Sequence, residues 1–199
     1  MPDVKAKLTI KTFATAAQWE AWLARQPRTS KGLWLKLAKK ASGLRSMSQA
    51  EAVVGALCHG WIDGQLQKFD EHHWLIRFTP RGPNSKWSEI NRNKALELIA
   101  EGRMSPAGLS EIERAKADGR WDAAYAPQSK AAVPDDLQRA LDGAPKAQRL
   151  FDKLDGANRY SILYRIHNAK MTETRARRIE KYVAMLERGE TIHPLKIKS

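Results

Sequence analysis

The order of apolar and polar residues along the chain predicts two kinds of region. In the first eighty residues, stretches with an apolar side chain at every second position alternate with stretches where apolar side chains recur every three or four positions. The first pattern is typical of half-buried strands and the second of amphipathic helices. We predict strands at residues 7–13, 32–40, 61–68 and 73–79. The short connection between the last two predicts an antiparallel hairpin.

Residue pairs spaced like capping boxes predict where the helices begin. Thr15 with Gln18 and Ser46 with Gln49 each precede an apolar periodic run. After the hairpin only helices are expected. One begins at Asn84 or Ser85 and ends near Glu101, and the next follows the pair Ser105-Pro106, since proline favours the first helical position. Four further helices are predicted at residues 134–141, 145–154, 157–169 and 172–188.

These elements predict the α+β class. We expect a small, mainly antiparallel sheet of three or four strands with covering helices, followed by an all-helical C-terminal region. The chain of 199 residues is long enough for one domain or two small ones. We expect an α+β domain over residues 1–120, including the central helices. A connector over residues 121–133 would join it to a helical C-terminal domain over residues 134–199.

Composition narrows the class of protein. The single cysteine, Cys58, excludes an internal disulfide and a cysteine-based zinc site. No apolar run approaches the roughly 18 residues of a membrane span, and the N-terminal stretch lacks the apolar run of a signal peptide. We therefore expect a cytoplasmic protein without membrane insertion. The pattern gives no prediction of the oligomeric state.

The net charge of +13 is concentrated at the two ends of the sequence. Residues 1–60 contain ten basic and three acidic residues, a net +7, and residues 170–199 contain eight and four, a net +4. A basic excess favours anionic partners but carries no specificity for nucleic acid. Two interpretations stay open: a weak nucleic-acid-associated regulator that acts through the basic ends, and a surface that only keeps the protein soluble or attracts nucleic acid non-specifically.

The signatures of the common enzyme classes are missing. The chain contains none of the motifs G-x-x-x-x-G-K-[ST], G-x-G-x-x-G, H-E-x-x-H and G-x-S-x-G. The histidines are not spaced like metal ligands, and Cys58 shares an apolar helix face with Val54, which predicts a core position. We therefore assign no catalytic residue, no metal and no cofactor, while an enzyme of another design stays open.

One segment, residues 60–91, combines charged, amide and aromatic side chains in the proportions of a ligand pocket. The predicted helix start near Asn84 would add backbone N–H groups and a partial positive charge. We therefore predict a pocket here for a small anionic ligand or an acidic peptide. Its residues are Trp61, Asp63, Arg77, Arg81, Ser85, Trp87, Ser88 and Asn91.

In this hypothesis the two arginines neutralise the charge of the ligand, the two serines donate hydrogen bonds and the two tryptophans form apolar walls. Asp63 would orient one arginine. In an alternative, Asp63 is the general base of an enzyme, which requires that no arginine neutralises it. The same residues also fit a purely structural interpretation, as helix caps, a buried ion pair and core aromatic side chains.

Several runs of sequence resemble a known family. They are Ala56–Gly64 (ALCHGWIDG), Arg77–Arg81 (RFTPR), Ser85–Asn91 (SKWSEIN), Ile99–Leu109 (IAEGRMSPAGL), Ala115–Trp121 (AKADGRW) and Ala169–Arg178 (AKMTETRARR). Over nearly the whole chain they resemble the YdeI/OmpD-associated, bacteriocin-protection family. The resemblance implies a bacterial cytoplasmic protein with an α+β part and a helical part, linked to stress resistance or envelope physiology. It implies no established reaction, cofactor or catalytic residue.

Overall fold

The chain divides into two compact units. The computed structural model describes residues 8–195, and the division gives Met1–Ala124 (unit 1) and Tyr125–Ser199 (unit 2). The boundary falls inside the segment 121–133 that the sequence predicts as a connector. Part of that segment belongs to a core, because Trp121 and Ala124 are buried in unit 1.

A four-stranded sheet organises unit 1. The strand order is β1-β2-β4-β3, with β1 parallel to β2 and the other two pairs antiparallel. This confirms the α+β class and the mainly antiparallel sheet. The first strand has two residues, fewer than predicted. The strands are β1 (Ile10–Lys11), β2 (Leu33–Ala38), β3 (Trp61–Lys68) and β4 (His73–Pro80).

The sheet buries one face far more completely than the other. In β2, Leu33, Leu35 and Leu37 are at most 1% exposed, while Trp34 and Lys36 on the opposite face are half-buried. Successive side chains of a strand point to opposite faces, so this alternation follows directly from the sequence LWLKLA. The three leucines therefore define the inner face of the sheet.

Helices α1 (Ala16–Leu23) and α2 (Gln49–Cys58) complete this first core. Trp19 is fully buried and its Nε1 donates a hydrogen bond of 3.0 Å to the carbonyl of Ala52, which ties the two helices together. The ring of Trp19 stacks on Trp22 with centroids 5.5 Å apart, and Trp22 meets Trp61 edge-on at 5.6 Å. A chain of aromatic rings thus runs from α1 to the first residue of β3.

Helices α3 (Glu89–Ala100) and α4 (Pro106–Ala117) pack with the C-terminal end of α2 around a second core. Ser105 caps α4 and Pro106 occupies its first turn, as the sequence predicts. Gly60 is the second residue after α2. Its φ is +73°, a left-handed backbone conformation that glycine adopts without strain.

Two predicted helix starts are wrong. The capping box of α2 is formed by Ser48 and Glu51, because the Oγ of Ser46 instead accepts a hydrogen bond from the amide of Ala38. Helix α3 begins at Glu89, capped by Ser88, several residues later than predicted. Residues 82–85 form a turn instead, in which the amide of Gly82 donates to Oγ of Ser85 and that of Ser85 to the carbonyl of Gly82.

Unit 2 is all-helical in its described residues, as predicted for the C-terminal region. Its helices are α5 (Asp135–Asp142), α6 (Pro145–Lys153), α7 (Gly156–His167) and α8 (Thr172–Glu187). Their inward faces form one core that includes Leu137, Phe151 and Ile166, each at most 1% exposed. Among residues 8–195, none of the helices is long and apolar enough to cross a membrane.

Candidate functional site

Unit 1 contains a cavity of about 330 Å³ beside the junction of α2 and β3. Part of its lining is apolar and includes Leu23, Trp61 and Pro80. Another part of the lining consists of residues whose side chains can form ion pairs or hydrogen bonds. These polar residues are Gln26, Arg28, His59, Ser105 and Glu111. Apolar walls with a few polar groups are typical of sites for small molecules.

The close docking of α4 on the end of α2 brings these groups together. The amide and the Oγ of Ser105 both donate to the carbonyl of Cys58, at 3.0 and 2.7 Å. A Cβ added at Gly108 would lie 2.3 Å from that same carbonyl oxygen, and one at Gly60 would lie 2.8 Å from the Cγ of Glu111. Glycine is therefore required at both positions for α4 to approach this closely.

Glu111 is the most unusual group in the lining. It is 5% exposed, and its carboxylate forms ion pairs with Arg28 and Arg114. Burial nevertheless raises the pKa of this carboxyl above its ordinary value, against the opposing attraction of Arg28, Arg120 and Arg81. Two arginines, Arg28 and Arg114, thus share one buried carboxylate beside the cavity.

The remaining polar groups of the lining are mainly neutral. Burial lowers the pKa of His59, which favours its uncharged imidazole near neutral pH. Ala107 lies in the first turn of α4, where helix amides have no acceptor within the helix and the dipole is positive. The cavity can therefore offer an acceptor or a donor at His59, and a positive helix end beside Arg28.

The structure places one of the eight predicted site residues, Trp61, in the lining of the cavity described above. Arg81 is 2% exposed, donates from Nη1 to the carbonyl of Lys86 at 3.1 Å, and lies 3.7 Å above the ring of Trp87. Trp87 is itself 2% exposed and belongs to the second core of unit 1. Arg81 and Trp87 are therefore buried against one another.

The two serines and Asn91 have roles in the backbone structure. The Oγ of Ser88 accepts the amide of Asn91 at 3.1 Å and so caps α3. Ser85 stabilises the preceding turn, and its carbonyl accepts a bond of 2.8 Å from Nη1 of Arg120. For the two serines the geometry follows the alternative interpretation as cap and turn residues, and Asn91 contributes the backbone amide that Ser88 caps.

Asp63 and Arg77 lie on opposite faces of the sheet. Asp63 is paired with Phe78 in the register of β3 and β4, and Phe78 points to the inner face. Arg77, its neighbour in sequence, therefore points the other way. Within the described residues no ion pair within 4 Å joins Asp63 to Arg77 or Arg81. Asp63 also does not line the cavity.

Sequence reasoning missed Arg28 and Glu111. Arg28 lies in the loop between α1 and β2, where no periodic pattern draws attention to it. Glu111 did carry a signal, because it shares a helix face with Gly108, Ile112 and Ala115, all of which are buried. An acidic residue on an otherwise small and apolar stripe is costly unless it is paired.

The fold and cavity define a class of protein: an α+β unit with a polar-lined cavity, followed by a helical unit. Residues 11–111, just over half of the chain, match the family model described as a domain of unknown function (DUF8412), and the chain belongs to this family. Residues 130–189 match the model described as bacteriocin-protection, YdeI or OmpD-associated. No curated protein and no solved structure matches the chain.

The second match confirms the resemblance to the bacteriocin-protection family for the helical unit. The four runs between residues 56 and 109 that carry the resemblance fall within the DUF8412 match instead. The cavity is lined by residues between Leu23 and Glu111, so it belongs to the DUF8412 part of the chain.

Proposed function

We propose that unit 1 is a binding unit for a small organic anion, held in the cavity against Arg28. This keeps the anion-binding hypothesis of the sequence but moves it from residues 60–91 to a site in which only Trp61 is retained. The proposal extends no further than binding. The cytoplasmic location and the link to stress resistance remain predictions that rest on the sequence and the resemblance.

The environment of Glu111 carries the proposal. Its carboxylate pairs with two arginines, and Arg81 and Arg120 act on it electrostatically as well. The single carboxylate of Glu111 is shared by the two guanidinium groups of Arg28 and Arg114, so a second anion next to Arg28 would be stabilised. Arg28 is suited to that contact because half of its side chain remains exposed and it lines the cavity.

Each part of the lining has a place in this proposal. Arg28 binds the charged end of the ligand, and Glu111 holds the guanidinium in position. The first turn of α4 adds its dipole to the attraction. Trp61 and Leu23 contact the apolar part of the ligand, and His59 forms a hydrogen bond that does not require a charge.

The test compares benzoate with benzamide, which has nearly the same shape and no charge. We expect benzoate to raise the melting temperature of the whole chain and benzamide to leave it unchanged. At ten times its Kd a ligand stabilises the folded state by about 1.4 kcal/mol. R28M should abolish the shift, while R25M, which removes an exposed arginine outside the lining, should leave it intact.

A cavity-filling variant protects the test against misfolding of R28M. Ala24 is exposed and lines the cavity, so A24W blocks the site while every arginine stays in place. Loss of the benzoate shift in A24W supports the site. Equal shifts with benzoate and benzamide, or a benzoate shift that R25M removes as readily as R28M, contradict the proposal.

A second candidate is an enzyme in which Glu111 transfers a proton. The raised pKa of this carboxyl favours it, since a buried acid that keeps its proton to higher pH is suited to general acid catalysis. It replaces the hypothesis built on Asp63, which lies outside the cavity lining. NMR of the anion that stabilises the chain most would show turnover by the wild-type chain and no turnover by E111Q. An unchanged spectrum over days excludes turnover of that anion.

A further inference from the structure

Unit 2 has an open groove between α5 and α8 with a volume of about 790 Å³. Helix α5 contributes Asp136 and Ala140, four residues apart and therefore on one face. The rest of the lining is a single stripe of α8. It consists of Thr172, Arg175, Ala176, Ile179, Glu180, Val183, Ala184 and Glu187.

The floor of the groove is made of small apolar side chains. Ala176 is exposed, and Ala140, Val183 and Ala184 are only half-buried. Alanine lets another backbone approach closely, which suits a packed helix better than a bulky small molecule. Helix α8 has 16 residues, so at 1.5 Å per residue the stripe is roughly 24 Å long, enough for a helical segment of about four turns.

The charge of the groove is opposite to that of the whole chain. Asp136 at one end is neutralised by Arg175, with Nη2 donating to Oδ1 at 2.9 Å. Glu180 and Glu187 are exposed, and neither forms an ion pair within 4 Å in the part of the chain described. Glu173 continues the same line seven residues before Glu180. A row of carboxylates therefore borders the apolar floor in a protein with a net charge of +13.

We propose that this groove docks a basic amphipathic helix of a partner protein. The apolar face of that helix, with small residues spaced at three and four positions, lies on Ala176 and Val183. Its Lys and Arg side chains pair with Glu180 and Glu187. A second copy of α8 fits poorly, because an antiparallel pair centred on Glu180 places Glu173 against Glu187 and Glu180 against itself.

Two synthetic peptides of 16 residues, the length of α8, test the charge preference. Both carry the same Leu and Ala face; one has Lys at the flanking positions and the other has Glu. We measure binding to the whole chain by fluorescence anisotropy at about 0.15 M salt. Non-specific attraction to a chain of +13 would favour the Glu peptide, so tighter binding of the Lys peptide is a result that net charge alone does not produce.

Charge-reversal variants locate the contact. E180K/E187K should weaken binding of the Lys peptide at least tenfold and strengthen binding of the Glu peptide. E71K/D122K makes the same change in net charge at exposed acidic residues of unit 1 and should leave the Lys peptide within about twofold, since distant surface charges are screened. If the two double variants weaken the Lys peptide equally, the attraction is non-specific and the proposal fails.

A second pair of variants tests the floor. A176R places a long side chain on the floor and should abolish binding, while A17R introduces the same residue at an exposed position of α1 and should not. Hydrogen exchange should show that the Lys peptide protects residues 135–142 and 172–187. Protection elsewhere overturns the proposal. Analytical ultracentrifugation gives a second check. A dimer that A176R dissociates would also overturn the proposal, because the occupant of the groove would then be a second copy of this chain.

Discussion

Each unit places an arginine–carboxylate pair at the edge of a hollow, and the two pairs behave in opposite ways. In unit 1, Glu111 has a side chain that is 6% exposed, and burial raises the pKa of its carboxyl although Arg28 is bound to it. In unit 2, the side chain of Asp136 is 35% exposed, and the hydrogen bond from Arg175 holds its pKa below the ordinary value.

The difference shows that solvent exposure decides how an ion pair contributes. Where water still reaches the carboxylate, the attraction of the guanidinium outweighs desolvation and the pair is mildly stabilising. Where water is excluded, desolvation outweighs the same attraction and the charged form is costly. The buried pair of unit 1 lies beside the cavity, and the exposed pair of unit 2 lies at one end of the groove.

The largest expected effect is on the packing that builds the cavity. Alanine normally stabilises a helix relative to glycine by about 1 kcal/mol. In G108A the new Cβ would lie 2.3 Å from the carbonyl of Cys58, so we expect a loss of about 1–3 kcal/mol in the free energy of unfolding, measured by urea denaturation. G82A, where the added Cβ meets nothing within 4 Å, serves as the control. A stabilised G108A would contradict the tight docking of α4.

The next effect concerns the exposed pair of unit 2. Because the pKa of Asp136 is lowered in the folded state, its stabilisation is present above the unfolded value of 3.8 and is lost as the pH falls through the folded value. After allowance for solvent screening we expect about 0.5–1 kcal/mol at neutral pH. D136N should lose this contribution at pH 7 and match the wild type near pH 2. D135N, which changes an exposed neighbour, should follow the wild type at both pH values.

For the buried carboxylate the sign is reversed. The raised pKa of Glu111 means that the folded state binds its proton more tightly, so stability falls as the pH rises from the unfolded value of 4.5 through the folded value. E111Q should remove this decrease, and E113Q, at an exposed position of the same helix, should retain it. Melting temperatures between pH 4 and pH 8 measure the slope. A wild-type slope that E111Q leaves intact would assign it to another group.

The smallest expected effect concerns the excess of basic residues at the two ends of the sequence. If the net charge of +13 acts only through non-specific attraction, duplex DNA should retain the chain at low salt and release it by about 0.1 M, where screening is already substantial. Column elution at several salt concentrations measures this. Retention well above that concentration, with a preference for one sequence, would instead support the nucleic-acid interpretation.

Local patterns predicted most of the fold. The alternation in LWLKLA is enough to predict β2, and Ser105-Pro106 is enough to place the start of α4, because each signal acts between residues close in sequence. The start of α3 was missed because several neighbouring residues carry equally good local capping signals. Asn84, Ser85 and Ser88 all have side chains that can cap a helix; in the structure Ser88 is the cap, while Ser85 accepts a hydrogen bond from Gly82 in the preceding turn.

The site was harder to predict because its parts are distant in sequence. Arg28 and Glu111 meet only when α4 docks on the end of α2, and no local pattern encodes that contact. The aromatic and basic residues of residues 60–91 were interpreted as a pocket wall, yet aromatic–arginine contacts also form in filled interiors, as Arg81 and Trp87 do. Composition alone does not distinguish the two.

The aromatic chain of unit 1 gives the cavity a built-in spectroscopic reporter. The indoles of Trp19 and Trp22 are stacked with their centroids 5.5 Å apart, close enough for excitation energy to pass between them. Trp22 in turn contacts Trp61, whose ring forms part of the lining. The three indoles can therefore share excitation, and a ligand that quenches Trp61 in the cavity would lower the tryptophan fluorescence without any added dye.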